Sequence, residues 1–369
     1  MGLIRLLLAL AVLLSHIPAA TVHFIGGGTA VQAFFVVSGF YMSLVLSGKY
    51  RDRRTFWTNR LLRLAPAYAA MMLIAGVALA GWGLTATATP QIFASAFSHP
   101  SSAAILAFEN IAVIGQHWLY WFKFAEDGSL YFDPSGGLPT ATAKVGWQAL
   151  IVPQSWSLSI ELIFYALVPW LVRLRSRTLI ALALASIALR LLGYALPVDF
   201  GLWQGRLFST ALFLFLFGML AHRALPRVQA WPVAVRFTGF ALLIAVIVFL
   251  PLAPLPAEAM RWIVYVAMAL GTPIAFSLTR NNRLDRWIGE LSYPIYLSQL
   301  FTVALVLTME WPWPSWTAIM LTLALSAAIM MLVERPVDRW RQRRAQRALS
   351  RSTQAVTSIV VPSTARASA

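Results

Sequence analysis

The side chains of this sequence that could do acid–base or nucleophilic chemistry inside apolar surroundings are few: Arg5, His16, Glu161 and Arg190. An ionisable group at the centre of a membrane helix costs about 2.5–3.5 kcal/mol on insertion scales, so each needs a partner or a purpose. Arg5 and His16 are about three helical turns apart, which puts them on roughly one face, about 16 Å apart along the axis. Two readings fit: the pair anchors the two membrane surfaces, or it lines a path that ends at a histidine able to act as a base. His23 and the run Gly26, Gly27, Gly28 follow at once, and backbone could approach a ligand closely there. Glu161, with Ser157 one turn away, is expected about one turn below the outer surface, with Arg190 at similar depth on the next helix. They form either a structural ion pair or part of a buried polar site shared with His16 near the outside.

Arg60 and Arg63, at i and i+3 where the third helix is expected to begin, share a face. They could clamp phosphates bidentately, or simply mark a cytoplasmic surface. Phe34 to Phe40, with Ser38 and Gly39, fits a lipid face with a close-packing helix contact. His99, His117 and His222 fall in or near loops, which suits surface roles. There is no HExxH, P-loop, CxxC or GxSxG, and no cysteine, so zinc, nucleotide, thiol and serine-hydrolase readings drop out and no metal is expected.

The elements that must position these residues follow from composition. Of 369 residues 59% are hydrophobic and 11% charged, with a mean hydropathy of +0.72. A soluble domain carries roughly 25% charge, so an all-α, polytopic integral membrane protein is expected. Ten apolar segments read as spans, at about 3–18, 29–47, 62–83, 155–172, 178–196, 206–222, 234–253, 259–279, 289–309 and 314–334. The stretch from Leu3 to Ile17 resembles a signal-peptide core without a convincing cleavage site, and is taken as a retained first helix. Basic residues test the topology: Lys49, Arg51, Arg53, Arg54, Arg60 and Arg63, then Arg173, Arg175 and Arg177, then Arg223, Arg227 and Arg236, then Arg280, Arg283 and Arg286 all fall on one side. That side is the cytoplasm, with both termini in it. The net charge of +16 is thus a topology signal, and no nucleic-acid function is read from it.

Residues 84–154 form a large external region. Within it Ala103 to Gln116 is too short for an easy span and reads as interfacial or re-entrant, with Trp118, Tyr120 and Trp121 at headgroup level, and Asp127 to Thr142 as loop. The membrane domain is expected to run to residue 345 and a disordered cytoplasmic tail from 346 to 369.

Several segments, in this order, resemble the acyltransferase-3 family of bacterial membrane O-acyltransferases. The resemblance rests on Arg5 through His16, on FFVVSGF at 34–40, and on NRLLRLAPAY, which holds Arg60, Arg63 and Pro66. It rests too on Trp156 to Tyr165, on Ser292 to Leu297, and on Glu334 to Pro336. One departure is Gln299, where members of the family often have histidine.

The resemblance implies an acyl-CoA donor, usually acetyl-CoA, and a carbohydrate hydroxyl as acceptor, on a polysaccharide or a lipid-linked oligosaccharide. It implies a multi-pass protein of the bacterial cytoplasmic membrane, associated with polysaccharide assembly machinery. His16 would be the base or the brief acyl carrier, with Glu161 orienting it or gripping the sugar. Arg5, Arg60 and Arg63 would hold the CoA phosphates, and Ser38, Trp156, Ser157, Arg190 and Tyr293 would line the substrate pocket. The alternative is a transporter or lipid-linked sugar flippase that uses the same buried groups for protons or substrate.

Overall fold

Apolar residues recur at helical spacing along almost the whole chain, and the computed structural model is accordingly a helix bundle. It describes all residues except 19, 21, 23, 49–52, 85, 87–89, 137–143, 197, 198 and 341–369. His23, Lys49, Arg51 and the expected tail therefore lie outside the described residues. In chain order the helices are α1 (Gly2–His16), α2 (Gly27–Gly48), α3 (Arg53–Trp82), α4 (Pro90–Ser98), α5 (Pro100–Ala112), α6 (Trp156–Leu171), α7 (Ser176–Leu192), α8 (Phe200–Arg206), α9 (Phe208–Gln229), α10 (Val233–Phe249), α11 (Ala257–Thr279), α12 (Arg283–Glu290), α13 (Ser292–Thr308) and α14 (Pro314–Ile329). A π-helical turn, Met330–Glu334, extends α14.

Each of the ten expected spans coincides with a helix. Among the described residues, seven stretches are long and apolar enough to cross a membrane: Gly27–Ser47, Arg53–Trp82, Phe208–Gln229, Val233–Leu252, Ala257–Thr279, Arg283–Thr308 and Pro314–Trp340. α1, α6 and α7 have 15, 16 and 17 residues, or about 22–26 Å at 1.5 Å per residue. The chain is an all-α polytopic membrane protein.

Small residues decide where helices approach. A Cβ on Gly39 would lie 2.0 Å from the Phe215 carbonyl oxygen, and one on Gly218 would lie 2.0 Å from that of Val36. α2 and α9 therefore meet backbone to backbone, as the Ser38–Gly39 pair suggested. α1 is a packed member of the bundle, set against α2, α12 and α13. The Asp285 carboxylate accepts from the backbone N–H groups of Gly2 (2.8 Å) and Leu3 (2.9 Å), satisfying donors that a helix N-terminus leaves open. α7 packs against α9, and α6 against α2, α3 and α9.

Among its described residues, the 84–154 region holds more regular structure than expected. α5 is too short to span, and a small antiparallel hairpin, β1 (Phe122–Phe124) with β2 (Leu130–Phe132), occupies part of what reads as loop from sequence. Glu126 and Asp127 form the centre of its turn, closed by the Gly128 N–H on the Ala125 carbonyl (3.0 Å), and Gly128 follows at φ 82°. Trp118 is exposed, whereas Tyr120 and Trp121 are buried, Tyr120 stacked on Trp147 with ring centroids 5.3 Å apart. His117 is also buried, correcting its expected surface role: its Nδ1 lies 2.9 Å from Ser159 Oγ, and burial pulls its pKa down to about 4. His222 is half-buried beside Ser43 (2.9 Å), and His99 lies 2.9 Å from the Ser101 hydroxyl.

Glu109 on α5 has one carboxylate oxygen, Oε2, buried without a partner, and burial raises its pKa from 4.5 to about 7. Between those values the folded state binds more protons than the unfolded one, so stability falls as pH rises through the window and levels off above about 7. Thermal unfolding in detergent should therefore show wild-type Tm dropping between pH 5 and pH 8, and Glu109→Gln removing most of that drop. An equal drop in both proteins would assign the dependence elsewhere.

Candidate active site

Three basic side chains from two helices converge on one cavity of about 560 Å³. Arg5 comes from the first turns of α1, Arg60 and Arg63 from α3, which begins earlier than expected, at Arg53, so the two arginines stand two turns inside it. Arg280 and Arg286, either side of the start of α12, line the same cavity. From sequence alone those two read only as topology signals. The arginines are not equivalent. Arg63 lies 3.4 Å from the Asp338 carboxylate, whereas Arg5 and Arg60 make no ion pair among the described residues, and Arg60 Nε is buried without a partner.

Glu161 faces this cavity. Its carboxylate accepts from the hydroxyls of Ser38 and Tyr165, and the charges of Arg60 and Arg5 act on it across the space. Ser38 on α2 and Glu161 on α6 thus meet because α6 packs on α2. The expectation that Glu161 lies one turn below the outer surface, level with His16 and Arg190, is corrected. Ser155 donates to Gln116 and Ser159 accepts from the Gly115 N–H, so the 84–154 region covers the start of α6, while Glu161 lines the cavity with Arg5, Arg60 and Arg63.

Arg190 is not the counter-charge of Glu161. Its guanidinium donates to the Gln204 carbonyl (2.7 Å), to the side-chain oxygens of Gln32 and Gln204 (both 3.3 Å) and to the Tyr265 hydroxyl (3.2 Å). It is 1% exposed and does not line the cavity. The physical reason is that α7, although next to α6 in sequence, packs on α9. Arg190 joins α2, α7, α8 and α11, a network that sequence spacing cannot reveal.

His16 stands at the other end of α1 and is not among the residues that line the cavity. As a residue it is exposed. Nδ1 lies 2.8 Å from the Val12 carbonyl oxygen and 3.2 Å from Gln299 Oε1. A carbonyl only accepts, so Nδ1 carries the proton and Nε2 keeps its lone pair. Gln299, in place of the family's frequent histidine, therefore helps fix the tautomer. Glu161 makes no bond to His16, and an orienting role for it is not what the geometry shows.

Of the remaining expected residues, Tyr293 lines the cavity and donates to the Leu64 carbonyl (2.9 Å), while Ser157 lines it and pairs with the Tyr296 hydroxyl (2.7 Å). Trp156, the neighbour of Ser157, points elsewhere: Arg206 lies over its ring at 3.6 Å and over Tyr120 at 4.1 Å. Tyr165 and Tyr296 stood inside the motifs read from sequence but carried no role there. Among the described residues no group of three His, Asp or Glu side chains is placed to hold a metal ion.

Fold and site together define a polytopic membrane protein with an arginine-lined cavity at one end of the bundle and a tautomer-fixed histidine at the other. The chain belongs to the acyltransferase-3 family, matching its acyltransferase domain over residues 1–335. It is also similar to the exopolysaccharide production protein ExoZ of Rhizobium meliloti (strain 1021), 24% identical over 339 residues that cover 86% of this chain and 91% of that protein. No solved structure matches it. It is a membrane acyltransferase, and the transporter reading gives way to that.

Proposed function

We propose that the chain transfers an acyl group, acetyl from acetyl-CoA first among donors, to a hydroxyl of an exported carbohydrate. The relative's printed role in exopolysaccharide production supports an exopolysaccharide, or its lipid-linked precursor, as the acceptor. The arginine distribution supports a bacterial cytoplasmic membrane location with both termini inside, and an exported acceptor would suit a place beside the polysaccharide assembly machinery.

The observation that carries the reading is the placement of Arg5 and His16 at opposite ends of one helix. Arg5, Arg60 and Arg63 suit the phosphates of CoA, since guanidinium groups bind phosphate by charge-assisted bonds. His16 Nε2 takes the proton of the acceptor hydroxyl as its oxygen attacks the thioester carbonyl. The carbon–sulfur bond then breaks, and the CoA sulfur leaves with a proton. Glu161, Ser38 and Tyr165 form a polar wall of the donor cavity rather than partners of the base.

The test is purified protein in nanodiscs with acyl-CoA labelled in the acyl group, with and without cell-envelope polysaccharide. Label on the polysaccharide, as an alkali-labile ester, together with stoichiometric CoA release, is the expected result. Absence of both with acetyl-, propionyl- and succinyl-CoA would reject the reading.

A further inference from the structure

A small set of hydrogen bonds centred on Tyr296 lies between the lining of the donor cavity and the surroundings of His16. Tyr296 lines the cavity, and Gln299, about one turn further along α13, is bonded to His16. The Tyr296 hydroxyl pairs with Ser157 Oγ at 2.7 Å and donates to the Gln154 carbonyl, and the Gln154 amide donates to the Leu297 carbonyl. These bonds tie α13 to the turn that precedes α6. Tyr296 is 7% exposed, Ser157 and Gln154 are each 5% exposed and Gln299 is fully buried. Yet Gln154 Oε1 and Gln299 Nε2 have no partner, leaving one acceptor and one donor unmet here. Buried polar atoms are rarely left so; an acyl carbonyl passing there would accept from Gln299 Nε2, and a sugar hydroxyl could donate to Gln154 Oε1.

We propose that Tyr296 decides whether the acyl group goes to carbohydrate or to water. Its hydroxyl latches the floor of the donor cavity and shuts the thioester off from the His16 compartment until an acceptor is bound. With the latch broken, water adds to the thioester carbonyl, the carbon–sulfur bond breaks, and a free acid and CoA thiol result without any acceptor. This inference rests on the assignment of the cavity to acyl-CoA and of His16 as base.

The sequence contains no cysteine, so a single thiol can be introduced without background. Val31→Cys places one on the cavity wall, at a side chain 6% exposed. In vesicles, a membrane-impermeant maleimide should reach that thiol from the arginine side alone. Adding Tyr296→Phe should open access from the His16 side, about tenfold faster, the size expected for losing about one net hydrogen bond. The ratio of acceptor-free CoA release to sugar acylation should rise by a similar factor, and Ser157→Ala should move both readouts the same way. A merely structural role for Tyr296 would lower release and acylation together. Unchanged His16-side labelling in both variants overturns the proposal, whatever the activity. Wild-type protein inert toward every acyl-CoA, but with labelling opened by Tyr296→Phe, would instead overturn the donor assignment and leave the latch standing.

Discussion

Replacing His16 with alanine is expected to lower acyl transfer to carbohydrate by roughly 10²–10⁴-fold, the usual contribution of a positioned general base, while acyl-CoA binding stays at its wild-type value. The split follows from geometry: His16 is absent from the cavity lining, so its loss removes nothing that holds the donor. The alanine should also be tolerated structurally, because His16 is the last residue of α1 and the interior of α1 is made by Ile4, Leu8, Val12 and Leu13. Equilibrium binding of CoA by calorimetry, beside turnover with saturating acceptor, separates the two quantities. A His16→Ala protein that retains more than a tenth of wild-type turnover would remove His16 from the chemistry.

Arg60→Ala should do the reverse, weakening acyl-CoA binding by roughly 10- to 150-fold, equivalent to about 1.5–3 kcal/mol for a charge-assisted contact, with turnover at saturating donor little changed. Arg5→Ala should behave alike. Arg63→Ala should cost less, since part of its charge is already met by Asp338 at 3.4 Å. The wild-type KM for acyl-CoA should rise with salt, and Arg60→Ala should flatten that rise, because screening acts on the same contacts. Equal losses in all three variants would mean that the Asp338 pair opens when donor binds. No loss in any of them would move the phosphates to Arg280 and Arg286.

Much of the machinery was legible in the residues alone. The apolar helices were legible because a bilayer demands long apolar stretches, and such stretches leave their mark residue by residue. Arg5 and His16 on one helix were legible too, since a helix relates residues at known spacing by simple geometry. So was the close helix contact at Gly39, because small residues are what backbone-to-backbone packing needs.

The sequence by itself therefore determined the class of protein, its helices and the residue types available for chemistry. Only the tertiary structure decided which of them meet. Glu161 and Arg190, on consecutive helices, part company because α6 packs chiefly on α2, where Ser38 meets Glu161, while α7 packs chiefly on α9. Arg280 and Arg286 join Arg5 and Arg60 because α12 folds back over the start of α1, where Asp285 holds the open N–H groups of Gly2 and Leu3. Tyr296 meets Ser157 and the Gln154 carbonyl because α13 faces the turn that precedes α6. Spacing along one helix is local and readable, but the choice of neighbouring helix depends on packing summed over many distant residues, and no single stretch of sequence records it.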